Sequence, residues 1–400
     1  MTVLSDHDSD HDSRPAALRA AREVAARLAE DALERDRVGA EPEAEARLLR
    51  ASGLPALLLP RAVGGDGGDW VTALRAVREI AAADGSIAQL LGYHYVNVAN
   101  LFWVADDAAL RRWGTPSAQG RWLWGDAVNP VDPDLVLTRH GAGYRLHGRK
   151  SFATGVSVGD ASVVAATAQD TGEPLLVVVE RSAPGVRPGG DWDNLGQRLS
   201  ASGSVTFADV AVGPDQVLGR LSPEATTPRS SLVTPAIQAV FGHLYLGIAE
   251  GALATARDYT RSTSRPWLLS DVDSATRDPY VLATYGRLAA GLRAVGALAD
   301  EAAAHLQRAH AAGAHLTWDA RGELAEHVAA LKVVATDVAL DVTATVFEVT
   351  GARATGSRVG LDRFWRNVRT HTLHDPVAYK RREVGDHYLN GTHPPFTLYT

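Results

Sequence analysis

The chain has 400 residues, of which 46% are hydrophobic and 22% are charged, an ordinary composition for a globular protein of about two to four domains. A net charge of −7 disfavours nucleic acid as a partner, and the absence of cysteine excludes disulfides, iron–sulfur clusters, Cys-ligated zinc and thiol catalysis. No apolar run reaches the roughly 18 residues of a membrane-spanning helix, and the first residues lack the pattern of a signal peptide. We therefore expect a cytoplasmic protein without a membrane or nucleic-acid partner.

The N-terminal part of the chain predicts a short tail and then helices. Residues 1–14 contain the acidic and polar repeat SDHDSDHDSR, which is typical of a disordered tail. Residues 15–118 carry apolar side chains at helical spacing, as in PAALRAAREVAARLAEDALERD, and glycines in PRAVGGDGGD interrupt the pattern. We assign residues 15–118 to an N-terminal helical domain.

Residues 119–224 change to short alternating runs that predict strands. Two such runs flank Gly141 and Gly143, which is a hairpin signal, and the turn DTGEP separates the apolar runs ASVVAATAQ and LLVVVE. A further alternating run follows in GSVTFADVAVG. The pattern predicts a middle domain built on an antiparallel sheet.

Residues 225–400 return to long helical patterns. One apolar stripe has the alternating four- and three-residue spacing of a helix seam: Val281, Tyr285, Leu288, Leu292, Val295, Ala299, Ala302 and Leu306. A second stripe follows Gly313 and runs from Leu324 to Val342. With the helical segments 237–259 and beyond 357, these stripes predict a C-terminal four-helix bundle. The fold class is therefore α+β, and such long helices often find buried partners in an oligomer.

Near the C-terminal end, the segment RNVRTHTLHDPVAY places His371 and His374 three residues apart, directly before Asp375. A metal site would need further ligands, for which the sequence offers no partner motif, so we expect no metal. Asp375 and Pro376 together predict the start of a helix with Asp375 as its N-cap. The histidines then lie at a helix junction, either as structural residues or as a proton-handling pair, since imidazole exchanges protons near neutral pH.

Other polar residues have both a structural and a ligand-binding interpretation. Thr154 in KSFATG either caps a turn or bonds a ligand, and Asn129 before Pro130 favours a turn. Arg265 in TSRPW either ends a helix or binds phosphate. The sequence contains no GxGxxG after a strand, no GxxxxGK[ST] and no HExxH, so neither a dinucleotide-binding motif nor a P-loop nor a zinc-protease motif is indicated.

Several longer segments resemble the acyl-CoA dehydrogenase superfamily, in the same order along the chain. GLPALLLPRAVGGDGGDW and REIAAADGSIAQLLGYHY resemble its N-terminal domain, GYRLHGRKSFATG its strand that ends in an aromatic-x-Thr motif, and LGQRLSASGSVTFADVAVGPDQVLG the end of its β domain. YLGIAEGALATARDYT and GARATGSRVGLDRFWRNVRT are similar to its C-terminal bundle. The resemblance covers nearly the whole chain from about residue 20 and implies the acyl-CoA dehydrogenase-like fold.

One departure changes the activity that the resemblance implies. The dehydrogenases carry a glutamate base in a Tyr-Glu-Gly context, and Asp375 in LHDP falls on that position with one methylene fewer. AVNP, TSRPW, DPYV and RTHTLHDPVAYKRREVGDHYLNG instead resemble the flavin-dependent monooxygenase branch, which includes dibenzothiophene monooxygenase-like, indole-hydroxylating and N-hydroxylating members. This branch takes reduced flavin (FMNH2 or FADH2) from a separate NAD(P)H:flavin reductase. With O2 it forms a C4a-(hydro)peroxyflavin, which oxygenates a small molecule at carbon, sulfur or nitrogen.

The resemblance also implies which residues form the site. The cofactor-binding residues would be Asn129, Val128, Thr154, Arg265, Ser264 and Ser200. The catalytic residues would be His374, His371, Thr154 and His94, and the substrate-binding residues Tyr93, Tyr95 and His94. His374 is expected to hold the peroxide or to position the proton for O–O cleavage. Arg265 is expected to reach flavin phosphate from a neighbouring subunit of a homotetramer.

The leading expectation is oxygenation of an aromatic or heteroaromatic molecule, in bacterial natural-product metabolism. Three alternatives remain open at this point. The first is N-hydroxylation of an amine or amino sugar on the same scaffold. The second is an acyl-CoA dehydrogenase that uses Asp375 as its base. The third is a helical binding protein without catalytic activity.

Overall fold

The structure, a computed structural model, describes residues 10–132, 135–397 and 399–400. Its first part is helical: α1 Asp10–Ala29, α2 Ala32–Val38, α3 Glu43–Ser52, α4 Trp70–Ala81, α5 Gly85–Trp103 and α6 Asp107–Gly120. α1 begins inside the segment expected to be a disordered tail, so residues 10–14 are helical, while residues 1–9 lie outside the described part of the chain.

A single sheet follows. Its strands are β1 Trp124–Ala127, β2 Val136–His140, β3 Gly143–Lys150, β4 Ala161–Ala168, β5 Pro174–Glu180, β6 Val186–Pro188, β7 Val205–Val212 and β8 Val217–Arg220. The strands pair in the order β6-β7-β3-β2-β4-β5-β8, and β1 pairs with β4. The hairpins β2–β3 and β4–β5 are confirmed.

The sheet is mixed rather than antiparallel as expected, because β4 runs parallel to both β1 and β2. Hairpins are visible in a sequence because a short turn joins their strands. A parallel pair needs a long connection and leaves no local signal. The connection from β3 to β4 contains the predicted site residue Thr154. A site residue therefore lies in the connection that leads into the parallel strand, which the sequence patterns did not predict. The predicted domain limits at residues 118 and 224 stay predictions.

The last part of the chain is helical again: α7 Val233–Ser262, α8 Pro279–Ala312, α9 Trp318–Thr350, α10 Asp362–His371 and α11 Val377–Asn390. The two predicted seams meet, since α8 and α9 are antiparallel neighbours joined by the short 3-10 helix Gly313–His315. Along the first seam, Leu288, Leu292 and Leu306 are buried, and along the second, Leu324, Val328 and Leu331. α7 packs against α9, α8, α4 and α5 and so joins the helical parts of the chain.

α7 is the core helix of the molecule. The span Ser230–Ser262 is long and apolar enough to cross a membrane, but 89% of its most apolar window is buried against the rest of the protein. Its buried aromatic residues Phe241 and Tyr245 lie next to His371 at the end of α10. The apolar character of α7 is therefore explained by internal packing. The cytoplasmic location stays a prediction.

Candidate active site

Helix α5 is the central support of the site. All of its residues are buried. Residues four apart lie on the same face of a helix. Gln89, Tyr93 and Asn97 form such a row. Gln89 contacts Thr154. Tyr93 contacts His371. Asn97 contacts Asp126. One face of α5 therefore joins the β3–β4 connection, the end of α10 and strand β1.

His371 is buried with both ring nitrogens engaged. The Tyr245 hydroxyl donates to the backbone oxygen of His371 at 3.2 Å and lies 3.0 Å from Nδ1. Since a hydroxyl has one hydrogen, Nδ1–H donates to Tyr245 and Nε2 accepts from the Tyr93 hydroxyl at 3.4 Å. Burial, and then the nearby charges of His374 and Lys332, lower the pKa of His371 well below its usual value. His371 is therefore a neutral imidazole that fixes the Tyr93 hydroxyl, and it cannot bind a metal without losing these bonds.

His374 is the accessible member of the pair. Its side chain is 40% exposed, and its ring is parallel to that of His371 within 12°, with the centroids 5.9 Å apart. The ring also lies against Phe241, at 4.9 Å between centroids. Nδ1 is 3.3 Å from Asp375 Oδ1, whereas Nε2 makes no hydrogen bond to any residue that the structure describes. One nitrogen is thus anchored and the other is available to a ligand.

Asp375 is not a helix cap, which corrects the expectation from the Asp-Pro signal. α11 begins at Val377, its N-cap position is Pro376, and no side chain caps it. Asp375 is instead buried, and its Oδ1 forms an ion pair with Lys332 Nζ of α9, while Gln238 Nε2 of α7 donates to Oδ2 at 3.4 Å. Desolvation alone would raise the pKa of Asp375. The hydrogen bond from His374 and the charge of Lys332 together lower it well below its usual range.

A chain of hydroxyl groups lies beside Gln89. Thr154 Oγ1 is 2.9 Å from Ser202 Oγ, which is 2.8 Å from Ser200 Oγ, and Ser200 donates to the Gln197 carbonyl at 2.9 Å. Gln89 Nε2 donates to Thr154 from the other side, at 3.4 Å. Each hydroxyl can both donate and accept. Thr154 and Ser200 are therefore brought together by Ser202, and Thr154 can reorient its hydrogen toward a ligand.

The backbone around this hydroxyl chain is strained. Phe152, Gln197 and Ala201 have φ values of 53°, 53° and 48°, a left-handed conformation that is uncommon for residues with a Cβ. The two segments are hydrogen-bonded to each other, with the Gly155 N–H donating to the Ala201 carbonyl at 2.9 Å. Strained conformations of this kind cluster at ligand-binding and catalytic sites.

Asp126 of β1 is a further buried carboxyl group at this site. Asn97 Nδ2 donates to Oδ2 at 3.2 Å, and the Asp126 backbone N–H donates to the Thr154 carbonyl at 3.0 Å. Burial raises the pKa of Asp126 to about 7, against a smaller lowering effect of Asn97. A group that changes charge near neutral pH is a frequent feature of functional sites.

His94 and Tyr95 do not belong to the site, which corrects two expectations. His94 Nε2 donates to the Pro55 carbonyl at 2.8 Å, and Nδ1 accepts the Trp124 backbone N–H at 3.0 Å. The Tyr95 hydroxyl donates to the Leu54 carbonyl at 3.1 Å. Adjacent helical residues point about 100° apart, so Tyr93 faces α10 while the next two face the 3-10 helix Leu54–Ala56. Burial lowers the pKa of His94 to about 4, as expected for a neutral structural histidine.

The Asn129 side chain is committed to its own loop. Nδ2 donates to Asp132 Oδ2 at 3.1 Å and to Ser151 Oγ at 3.4 Å, and Oδ1 accepts the Val131 N–H at 3.2 Å. Val128 is partly exposed beside this loop. The turn interpretation of Asn129 is therefore supported, and contact of Asn129 and Val128 with a cofactor stays a prediction.

Arg265 and Ser264 lie away from the histidines within one chain. They follow the end of α7 at Ser262, where Ser264 Oγ donates to the Thr350 carbonyl at 3.2 Å. Phe241 contacts both histidines near the other end of α7. A rise of 1.5 Å per residue puts about 30 Å of helix between these points. Arg265 is exposed, and its contact with a cofactor stays a prediction.

Sequence reasoning missed several residues that the structure places in the site: Gln89, Asn97, Asp126, Gln197, Ser202, Gln238, Phe241, Tyr245 and Lys332. The spacing of Gln89, Tyr93 and Asn97 was a usable signal, because polar residues four apart on a largely apolar helix lie on one face and each needs a polar partner there. Lys332 also had a signal, since it is a charged residue directly beside Leu331 of the apolar stripe between Leu324 and Val342. Tyr245 and Asp126 had none that the sequence alone distinguishes from ordinary core or strand residues.

Comparison with known proteins identifies the family. The profile of the acyl-CoA dehydrogenase N-terminal domain matches residues 12–125, and that of the C-terminal domain matches residues 239–378. A dibenzothiophene monooxygenase from Rhodococcus qingshengii is 43% identical, over 96% of this chain and 95% of its own. The chain belongs to the acyl-CoA dehydrogenase family, in its flavin-dependent monooxygenase branch. It is an enzyme of this type, which removes the non-catalytic alternative.

Other relatives add the flavin and its ligands. A probable FMNH2-dependent monooxygenase, SfnC, from Pseudomonas putida is 40% identical over 97% of this chain and 98% of its own. The crystal structure of TdsC from Paenibacillus sp. A11-2 with FMN and indole has a TM-score of 0.92 and 42% identity, covering 96% of this chain and 99% of that one. Methanesulfinate monooxygenase MsuC from Pseudomonas fluorescens has a TM-score of 0.93 and 39% identity over 100% of both chains. The cofactor is accordingly reduced flavin, with O2 as co-substrate.

The residues of the site fit a flavin ring. Such a ring presents both hydrogen-bond donors and acceptors along its edge. Two buried polar atoms beside the hydroxyl chain have no partner among the described residues: Gln89 Oε1, an acceptor, and Gln197 Nε2, a donor. Buried polar groups are rarely left unpaired, so both indicate a polar ligand at this point. Thr154, which accepts from Gln89 Nε2, adds a hydroxyl group beside Gln89.

Proposed function

We propose that the protein is the oxygenase of a two-component system, which receives reduced FMN from a separate NAD(P)H:flavin reductase and oxygenates an aromatic or heteroaromatic small molecule. The observation that carries the proposal is the aromatic and imidazole cluster around His374. Phe241 and His371 pack against the ring of His374, whose Nε2 has no hydrogen-bond partner among the described residues, and Tyr93 and Tyr245 lie behind them against His371. Flat apolar surfaces with few polar groups suit an aromatic ligand.

Reduced flavin supplies the two electrons with which O2 is activated. One oxygen atom is added to the substrate, and the other leaves as water after gaining two protons. This chain must therefore do two things: keep bulk water away and deliver protons at one place. Buried α5 and α7 form the dry walls. His374 Nε2 accepts a proton at the reacting oxygen and can return it there, and Thr154 orients the flavin.

The dehydrogenase alternative is opposed by the surroundings of Asp375. Removal of an α-proton from an acyl thioester needs a carboxylate that binds a proton readily. Asp375 has both oxygens engaged, by Lys332, His374 and Gln238, and a lowered pKa. These contacts make it a poor base.

A second candidate substrate class is a small sulfur compound, because MsuC matches the full chain with a TM-score of 0.93 and is a methanesulfinate monooxygenase. The N-hydroxylase alternative has weaker support, since an amino sugar nitrososynthase from Streptomyces peucetius is 29% identical over only 44% of this chain. The aromatic class is preferred because the rings of Phe241 and His371 pack against His374, whose Nε2 has no partner among the described residues.

The test is a substrate competition with chemically reduced FMN. The flavin-free protein is mixed anaerobically with reduced FMN and then with oxygenated buffer containing indole, dibenzothiophene or methanesulfinate. Product and hydrogen peroxide are quantified per flavin oxidised. Oxygenated product from an aromatic compound, with little peroxide, supports the proposal. Product from methanesulfinate alone moves the protein to the sulfur class, and acyl-CoA-dependent flavin reduction without O2 would restore the dehydrogenase.

We also propose a homotetramer in which Arg265 of one subunit serves the flavin phosphate of another. The support is the segment around Arg265, where Trp267, Leu268 and Leu269 are 70%, 88% and 80% exposed in the single chain. Neighbouring large apolar residues with this exposure mark an interaction surface. Native mass spectrometry tests the assembly, and a monomer that binds FMN would contradict it.

A further inference from the structure

Lys332 is an unusual residue in this chain. The sequence has 40 Lys and Arg residues, of which only Lys150, Lys332 and Lys380 are lysines, and all three are buried. Lys332 is 0% exposed and lies 5.2 Å from the centre of the Phe241 ring, on the helix α9 seam. Burial lowers its pKa to about 8, although Asp375 raises it. In a chain that uses arginine almost everywhere, this point carries a compact ammonium group, whose pKa responds to burial more readily than that of a guanidinium.

Asp375, the partner of Lys332, is held through both of its carboxylate oxygens. Asp375 Oδ1 contacts both Lys332 Nζ and His374 Nδ1, and Oδ2 accepts from Gln238. Asp375 stands between α10 and α11, next to Pro376 with its restricted backbone. The Asp375 carboxylate is therefore held in one position in its negatively charged form. In this form it can only accept a hydrogen bond, so it accepts the Nδ1 hydrogen of His374.

A neutral imidazole carries its hydrogen on one nitrogen only, and the bond made by that nitrogen determines the role of the other. With Nδ1–H bound to Asp375, the lone pair of His374 is on Nε2. Its ring packs against both Phe241 and the parallel ring of His371, which restrict its orientation. We infer that Lys332 and Asp375 are positioning residues for His374, which anchor Nδ1–H so that Nε2 is the nitrogen presented to the reacting oxygen. The last step of this inference rests on the proposed monooxygenase function.

A purely structural role is the competing explanation. A buried ion pair is weak evidence for stability, because an uncharged pair of similar size is often as stable, whereas removal of one partner leaves a buried charge and destabilises strongly. Stability and positioning can therefore be separated. The double variant Lys332→Met/Asp375→Asn removes both charges together and keeps the volume similar, so it should fold. Its asparagine offers His374 either an amide donor or an acceptor and no longer selects one tautomer.

A second buried pair provides the matched control. Lys380 Nζ and Glu383 Oε2 are 2.8 Å apart on α11, and their side chains are 4% and 10% exposed. The control double variant Lys380→Met/Glu383→Gln neutralises this pair in the same way. Neither residue contacts His371 or His374 through a described hydrogen bond or ring contact.

The experiment uses the full chain in three readouts. Urea unfolding checks that each double variant is folded. The 15N shifts of histidine-labelled, flavin-free protein report the tautomer of His374, whose signals are assigned by their loss in His374→Ala. Product and peroxide per reduced FMN report coupling. We expect a single Nδ1–H tautomer in the native protein, mixed tautomers and roughly tenfold lower coupling in Lys332→Met/Asp375→Asn, and no change in the control.

The outcomes separate the inference from the proposed function. A folded Lys332→Met/Asp375→Asn variant with the native tautomer and native coupling overturns the inference, even if His374→Ala uncouples the enzyme. Native protein that yields no oxygenated product overturns the proposed function, while the tautomer readout still tests the anchoring of His374 by itself. Restoration of the tautomer in Asp375→Glu, which keeps the carboxylate, supports anchoring by charge and not by packing.

Discussion

Replacement of His94 by glutamine tests the corrected position of this residue. Glutamine can donate to the Pro55 carbonyl and accept the Trp124 N–H, as the imidazole does, but it does not titrate. His94 has a folded pKa of about 4 because of burial, whereas the unfolded chain has the ordinary histidine value near 6.5. The unfolded state therefore binds a proton at pH 5 that the folded state excludes. The contribution of His94 to the free energy of unfolding is fully present above pH 6.5 and is lost as the pH falls toward 4.

The magnitude follows from proton linkage. Each pH unit below 6.5 costs about 1.4 kcal/mol until the folded pKa is reached. Between pH 7 and pH 5 the His94 contribution is therefore about 2 kcal/mol. His243 and His310, with pKa values lowered by burial to about 3 and about 4, act in the same direction. Asp126, with a raised pKa of about 7, acts in the opposite direction. All three are present in both proteins, so the difference between native and variant isolates His94.

The assay is reversible urea unfolding of the flavin-free protein at pH 7 and pH 5, followed by tryptophan fluorescence. The native protein should lose about 2 kcal/mol more unfolding free energy between these pH values than His94→Gln does. The exposed residue His140 provides a control, and His140→Gln should behave as the native protein does. Equal pH dependence in the native protein and His94→Gln would refute a buried neutral His94 and return it to the list of substrate contacts.

The remaining predictions concern the site. His374→Ala should raise hydrogen peroxide release and lower product per reduced FMN by roughly tenfold, and unchanged coupling would remove its proton role. Thr154→Ala should weaken FMN binding about fivefold in a fluorescence titration, for one lost hydrogen bond, and equal affinity with equal coupling would exclude Thr154 from the site. Tyr245→Phe leaves His371 Nδ1–H without its acceptor. It should lower the product formed per reduced FMN severalfold, while the FMN dissociation constant, measured as a control, stays unchanged. Arg265→Ala should weaken FMN binding about tenfold but leave riboflavin binding unchanged, since riboflavin lacks the phosphate; equal losses for both would contradict phosphate binding.

The helices and hairpins were predictable from the sequence because their signals are local. The apolar stripes of α8 and α9 repeat every three or four residues, and they are buried as expected. The hairpin at Gly141 is visible from its turn. Parallel pairing of β4 with β1 and β2 was not predictable, since the partners are brought together only by the complete fold.

The site was predictable in part, for a geometric reason. Motif resemblance directed attention to GYHYVN as a segment, and three adjacent residues were expected to line the substrate. A buried helix presents only every third or fourth residue to one side. Tyr93 therefore contacts His371, while His94 and Tyr95 bond to the backbone near Leu54. Resemblance of a segment therefore identifies the helix that lines the site. Which of its residues face the site depends on which side of the helix is turned toward it.

Asp375 shows why a residue type at a known position does not define its chemistry. Asp before Pro predicted a helix cap from local statistics, and the family position predicted a base. Neither considers Lys332, which lies 43 residues earlier and meets the carboxylate only after α9 and α10 have packed. A carboxylate acts as a base only if its proton affinity suits the reaction, and a buried ammonium partner lowers that affinity. The ion pair with Lys332 therefore lowers the proton affinity of Asp375, so the partners of this carboxylate, and not its position in the fold, determine its chemistry.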